Sequence, residues 1–212
     1  MDGTLLDTAP DMVGALNALR REQSLEPLPY EVVRSGVSHG VARVVKIGFP
    51  EVAGEQAAAL HKRFLDIYRG ALSEGTQLFA GMDRVLDALA ERSLKAGIVT
   101  NKAAWLTDPL LEQLGLRPRF DCVVSGDTVA ERKPHPLPLL HAAKLAGVTP
   151  AECIYVGDAE RDVLAAHAAG MPALVANYGY LAADEDSTAW RADGYLEQAL
   201  DLLSWLDASG RA

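Results

Sequence analysis

Asp158 and Asp162 are the residues whose spacing most plainly offers chemistry. The stretch Gly157-Asp158-Ala159-Glu160-Arg161-Asp162 follows a short apolar run and opens a segment of helical period, so carboxylates at i and i+4 can face the same way. Two carboxylates held close repel unless a cation is present, and an all-oxygen donor set suits Mg²⁺, which keeps several of its waters. The same spacing also fits an aspartate that caps the helix. Thr100-Asn101 stands at a similar junction, where a hydroxyl and free main-chain N–H groups can hold a phosphate at a helix N-terminus or simply cap it. Lys133, between Arg132 and Pro134, is a solvated turn charge if taken alone and an anion ligand if the other groups lie near it. Asp2 completes the set.

Each of these groups ends or follows an apolar run, which points to the elements that must position them. From about residue 94 onward, short continuous runs alternate with longer segments of helical period. The runs are Leu94 to Val99, Cys122 to Val124, Cys153 to Val156 and Pro172 to Ala176. Continuous apolarity at that length predicts strands buried on both faces of a parallel sheet. Between them, Ala103 to Leu114, Pro136 to Ala146 and Glu160 to Ala169 carry apolar residues at three-and-four spacing, with Gly115, Gly147 and Gly170 where helices would end. This is a βαβ repeat, hence a doubly wound α/β sheet. Strand ends in such a sheet share one edge, where ligands settle at a topological switch point.

Residues 9 to 75 differ. Helical patterns run through Asp11 to Arg21, Tyr30 to Ser35, Gly40 to Ile47 and Glu55 to Leu72 with no convincing strand, and the chain returns to the sheet near Thr76 to Gly81. Within this stretch His39-Gly40 and Arg43 stand on a turn and a helix start. An arginine there can read a carboxylate in bidentate fashion, or remain a solvated helical residue. With 49% hydrophobic residues in 212, the chain can bury a sizeable core, and a net charge of −9 disfavours nucleic acid and anionic membrane as partners. Cys122 and Cys153 sit in apolar runs without metal-like spacing and read as two buried, reduced thiols of a cytoplasmic protein. No run approaches the ~20 apolar residues of a membrane span.

In order and spacing, Asp2-Gly3-Thr4-Leu5, Ile98-Val99-Thr100-Asn101, Lys133-Pro134 and Gly157-Asp158 with Asp162 resemble the four motifs of the haloacid dehalogenase (HAD) superfamily over essentially the whole chain. Glu131 to Pro136 and Tyr155 to Asp162 look most like the phosphoglycolate phosphatase branch. The segment Asn177-Tyr178-Gly179-Tyr180-Leu181 through Asp184-Glu185-Asp186 and Trp190 is also similar to the branch acting on N-acetylmuramic acid 6-phosphate. The resemblance implies a HAD-like Rossmannoid core at residues 1–8 and 76–212 and a small all-helical C1 cap at 9–75. Too few residues lie between Val124 and Lys133 for a second cap.

The resemblance also implies a two-step phosphoryl transfer through an aspartyl-phosphate. Asp2 would be general acid and then general base; its main-chain carbonyl, Asp158 and Asp162 would hold Mg²⁺. Thr100, Asn101 and Lys133 would hold the phosphoryl oxygens, and His39 and Arg43 would meet the substrate. The attacking aspartate of the first motif falls one position before Met1. The expectation is therefore an upstream strand that ends in that aspartate, and a chain inactive as written. The implied substrate is a small phosphate monoester, 2-phosphoglycolate or N-acetylmuramic acid 6-phosphate, handled by a monomer or homodimer. The alternatives are a catalytically inactive relative that binds a phosphorylated metabolite, and a phosphoglucomutase-like enzyme.

Overall fold

The computed structural model describes residues 1–182 and 185–210. Asp184, part of the stretch compared with the N-acetylmuramic acid 6-phosphate branch, lies outside the described residues.

Parallel strands form where the apolar runs predict them. β3 (Gly97–Val99) pairs with β4 (Cys122–Val124), Ile98 opposite Val123. β5 (Tyr155–Gly157) pairs with β6 (Ala173–Ala176), and β6 with β7 (Gly194–Leu196). All four residues of β6 are buried, as an inner strand covered on both faces requires. β7 is a strand that the sequence pattern does not announce, because only Leu196 of its three residues is buried.

Alternate residues of these strands feed two separate apolar layers, the direct signature of a sheet covered on both faces. Ile98, Leu174 and Leu196 pack with α5 (Met82–Glu91), α6 (Ala104–Gln113) and α9 (Asp201–Ser209). Val99, Val124 and Val175 pack with α7 (Leu137–Ala146) and α8 (Glu160–Ala168). The fold class is therefore the doubly wound α/β arrangement. The helices stop at glycines as expected: Gly115, Gly147 and Gly170 all have positive φ.

Among the described residues β3 pairs only with β4, and β5 only with β6, so each has an open edge. A cavity of about 500 Å³ lies between these edges, lined by Met1, Leu5, Ile98, Val99, Tyr155 and Val156 among others. The Tyr155 hydroxyl crosses it, donating to the Val99 carbonyl at 2.9 Å.

Between β1 (Leu6–Asp7) and its antiparallel partner β2 (Gln77–Leu78) lies a purely helical segment. Its helices are α1 (Ala9–Glu22), α2 (Tyr30–Arg34), α3 (Val41–Gly48) and α4 (Gly54–Gly70), with a 3₁₀ turn at Val37–His39. Met12, Leu16 and Leu19 of α1 meet the Leu60, Phe64 and Tyr68 stripe of α4 in one apolar cluster, each set at helical spacing. Cys122 is buried, but Cys153, which precedes β5, is only partly so. No helix among the described residues is long and apolar enough to cross a membrane.

Asp11 ties the two connecting strands of the segment together. Its carboxylate accepts from the Gly75 and Thr76 main-chain N–H groups at 2.6 and 2.9 Å and from the Thr76 hydroxyl at 2.6 Å. Asp11→Ala leaves the two buried Thr76 donors unmatched and should cost about 3 kcal/mol of stability, read as a lower urea midpoint at unchanged m-value.

Candidate active site

Loops at the carboxyl ends of β3, β4 and β5 bring Thr100, Asn101, Lys133, Asp158 and Asp162 to one sheet edge. Lys133 is buried, not a solvated turn charge. Its Nζ lies 2.7 Å from Asp162 Oδ1, 2.7 Å from the Tyr155 hydroxyl and 3.1 Å from the Val99 carbonyl oxygen. Burial alone would push the lysine pKa down, but Asp162 and Tyr155 outweigh it and hold the ammonium charged. Burial pushes the Tyr155 phenol up to about 12, so it meets the lysine as a neutral hydroxyl.

Asp162 takes the capping role that the sequence offered and pairs with Lys133 as well. Its Oδ2 accepts from the Ala159 N–H at 3.2 Å, capping α8, while Oδ1 has a charge partner in Lys133 but no aligned hydrogen bond. Asp158 accepts from the Thr4 hydroxyl at 3.1 Å, from the Ser38 hydroxyl, and from the Tyr180 N–H at 3.4 Å. Burial raises its pKa, and the Asp162 charge raises it further. The carboxylate can come this close to the first motif only because Gly3 has no side chain. A Cβ there, at φ 74°, would stand 1.9 Å from Asp158 Oδ2. Gly179 matters for the same reason, since its Cβ would meet the Gly3 carbonyl at 2.3 Å.

Asp2 joins the cluster through a residue that the sequence reading passed over. Lys102, directly after Thr100-Asn101, places its Nζ 3.0 Å from Asp2 Oδ1 and 2.8 Å from the Tyr68 hydroxyl of α4. Burial alone would raise the Asp2 pKa, but Lys102 outweighs it and holds the carboxyl below the usual range. Thr100 is buried, its hydroxyl accepting from the Lys102 N–H at 3.1 Å. The Asn101 side chain clamps the next loop: its amide donates to the Lys133 carbonyl at 3.0 Å and accepts from the Lys133 N–H at 3.1 Å.

The helical segment also reaches this edge. Ser38 touches Asp158, and Arg34 donates to the Gly179 carbonyl at 2.9 Å with its guanidinium 5.0 Å from the centre of the Tyr180 ring. His39 Nε2 is 3.5 Å from Glu185. Arg43 is exposed on α3 and its side chain makes no hydrogen bond or ion pair among the described residues, so the structure does not join it to the cluster. Adjacency to Thr100-Asn101 and to His39 was the only sequence signal for Lys102 and Ser38.

The donors fit Mg²⁺. No three His, Cys, Asp or Glu side chains gather among the described residues, so a site here would draw on Asp158, Asp162, a main-chain carbonyl and water, a set magnesium accepts. A buried carboxylate with a raised pKa and a neighbouring carboxylate oxygen without a hydrogen bond are groups that a divalent cation would satisfy.

Comparison with known proteins agrees with this geometry. The family profile of the haloacid dehalogenase-like hydrolases matches residues 1–176. A phosphoglycolate phosphatase of Xanthomonas campestris is 44% identical over 198 residues, covering 93% of this chain and 90% of the relative. An N-acetylmuramic acid 6-phosphate phosphatase of Pseudomonas putida is 34% identical over 212 residues, covering 99% and 94%. The crystal structure of a predicted phosphoglycolate phosphatase from Haemophilus somnus superposes with a TM-score of 0.85 at 23% identity, covering 97% of this chain and 94% of that one, and so shares the fold.

Because the Asp158 pKa is raised, its folding contribution is favourable at low pH and is lost as pH rises through the folded-state value. Asp158→Asn removes that buried charge. In EDTA at neutral pH the variant should melt higher than the wild type by thermal unfolding, and added Mg²⁺ should stabilise only the wild type.

Proposed function

The chain belongs to the haloacid dehalogenase-like hydrolases, and we propose that it is a Mg²⁺-dependent phosphatase of small phosphate monoesters, with 2-phosphoglycolate and N-acetylmuramic acid 6-phosphate as leading substrates. The observation that carries this reading is the buried Lys133, held 2.7 Å from Asp162 at the edge where Thr100 and Asp158 also converge. A buried ammonium beside a hydroxyl and free N–H groups suits a phosphoryl group, whose charge spreads over its oxygens during transfer. The relatives' activities support the substrate class.

In this reading residues 9–75 form a cap over a core of 1–8 and 76–212. An aspartate one position before Met1 attacks phosphorus from a strand that fills the slot between β3 and β5. The two open edges and the apolar lining of that slot support this placement. Asp2, a carboxylate in the free protein, takes up a proton as the ester binds and gives it to the departing alcohol oxygen as the phosphorus–oxygen bond breaks. It then takes a proton from the water that cleaves the acyl phosphate, which releases phosphate, frees the carboxylate of the attacking aspartate and leaves Asp2 protonated. Thr100, the Asn101 main chain and Lys133 hold the phosphoryl oxygens. Asp158, Asp162 and the Asp2 main-chain carbonyl would hold Mg²⁺, which supplies positive charge against the phosphoryl oxygens.

The proposed partner is a small phosphorylated metabolite, bound by a monomer or homodimer, and not nucleic acid or membrane; the net charge of −9 supports this. A cytosolic setting belongs to the same reading, supported by the buried, unbridged Cys122.

The full-length polypeptide should hydrolyse p-nitrophenyl phosphate with Mg²⁺ and lose turnover with Asp158→Asn or on replacing the aspartate before Met1 by asparagine. Equal turnover in excess EDTA would overturn the metal assignment. Lys133→Ala should lose on the order of several kcal/mol of transition-state stabilisation, read as a fall in kcat/KM. In a substrate panel, 2-phosphoglycolate or N-acetylmuramic acid 6-phosphate should lead nucleotides and phosphopeptides.

A further inference from the structure

Lys102 is a buried cation that the phosphoryl-binding scheme does not use. Its side chain is 7% exposed and has two polar partners: Asp2 Oδ1 at 3.0 Å and the Tyr68 hydroxyl at 2.8 Å. The ammonium also lies 4.8 Å from the centre of the Tyr68 ring. Lys102 is anchored on its own side as well, since its carbonyl accepts from the Gly126 N–H at 2.7 Å and its N–H donates to the Thr100 hydroxyl. Tyr68 belongs to α4, is fully buried, and packs against Phe64 with ring centres 6.1 Å apart. A continuous contact therefore runs from the helical segment through Tyr68 and Lys102 to one oxygen of Asp2.

We propose that Lys102 is a positioning residue for Asp2 and that Tyr68 holds Lys102 in place, so that seating of the helical segment and proton delivery to the leaving group are coupled. The inference rests on the phosphatase reading above. A carboxyl group must lie within hydrogen-bond reach of the oxygen it protonates, and an aspartate free to rotate loses that geometry. Lys102 fixes one Asp2 oxygen and leaves the other directed by it. Removing the Tyr68 hydroxyl takes away one of the ammonium's two acceptors, so the lysine can shift and carry Asp2 with it. If the helical segment lifts from the core, Tyr68 leaves with α4 and the same loosening follows.

The test compares two leaving groups in the full-length polypeptide. p-Nitrophenolate departs with little help from an acid, whereas the alkoxide of 2-phosphoglycolate needs its proton. Values of kcat/KM report the step in which each departs, so they isolate this role from the later hydrolysis common to both. Lys102→Met should lower kcat/KM for 2-phosphoglycolate by about a hundredfold and for p-nitrophenyl phosphate by less than about tenfold. Tyr68→Phe, which keeps the ring and its packing, should show the same selectivity at smaller size. The double variant should fall no further than Lys102→Met alone, since the two act through one contact chain. Lys102→Arg should recover part of the selective loss. Equal losses for both esters in Tyr68→Phe, or additive effects in the double variant, overturn the coupling. A wild-type protein that hydrolyses neither ester defeats the phosphatase reading itself and the inference with it; one that hydrolyses both, with unselective variants, defeats the inference alone.

Discussion

A lysine buried at the end of a sheet has to find an anion, and the pairing of Lys133 with Asp162 is the contact around which this edge is built. An unpaired ammonium in the interior costs several kcal/mol or surrenders its proton, so the loop after β4 can settle only where Asp162 waits at the start of α8. That single requirement links β4 to β5. It also explains why Tyr155 is a tyrosine, since its hydroxyl fills the remaining space between the lysine and the Val99 carbonyl. Asn101 then fixes the main chain of Lys133 from β3. The side chain and the backbone of one residue are thus held by different strands, which gives Lys133 a precision that a surface lysine lacks.

The helical segment depends on the same edge. Its attachment is narrow, with two crossing strands tied by Asp11 and by Tyr180, whose hydroxyl donates to Asp7 at 2.7 Å and accepts from the Ala9 N–H at 2.9 Å. Contacts further out reach polar groups of the site itself: Ser38 to Asp158, Tyr68 to Lys102, and Arg34 to the Gly179 carbonyl. The apolar residues of α1, α3 and α4 belong to the same buried cluster as Leu6, Met82, Ile98 and Leu174, so apolar packing joins the segment to the sheet as well as these polar contacts.

Much of this was legible in the sequence, and the parts that were not share a cause. β3, β4, β5 and β6 and the helices between them follow from apolar runs and three-and-four spacing, which report burial directly. β7 has one fully buried residue and leaves no such trace. α5 was readable in principle from Met82, Val85, Leu86 and Leu89, although no expectation was attached to it. Thr100, Asn101, Asp158 and Asp162 were found because they follow strands, and strand ends of a parallel sheet must meet; Asp2 and Lys133 were found through the family motifs. Ser38, Arg34 and Tyr68 reach the edge from a helical segment whose seating no local pattern encodes; Ser38 and Asp158 are 120 residues apart. Arg43 illustrates the converse, since a plausible residue on the right segment lies on its exposed face.

The charges at the edge also constrain what it can bind. Asp2, Asp158 and Asp162 stand against Lys102 and Lys133, so with all five ionised the cluster carries one net negative charge. A phosphate dianion entering that cluster would be repelled by the carboxylates at short range, where the interior screens charge poorly. Overall charge cannot compensate, because the whole chain is at −9. Protonating Asp158, whose pKa is already raised, removes one charge, but it gives up the acceptor that Thr4 and Ser38 address. On the proposed reading Asp158 and Asp162 would hold a divalent cation that offsets two charges at once, and Lys133 would face the phosphoryl oxygens as well as its aspartate. Lys102, turned toward Asp2 and Tyr68, is not available for that purpose. On the proposed phosphatase reading the two lysines divide the work: the metal and Lys133 would meet the phosphate, and Lys102 the residue that would handle the proton.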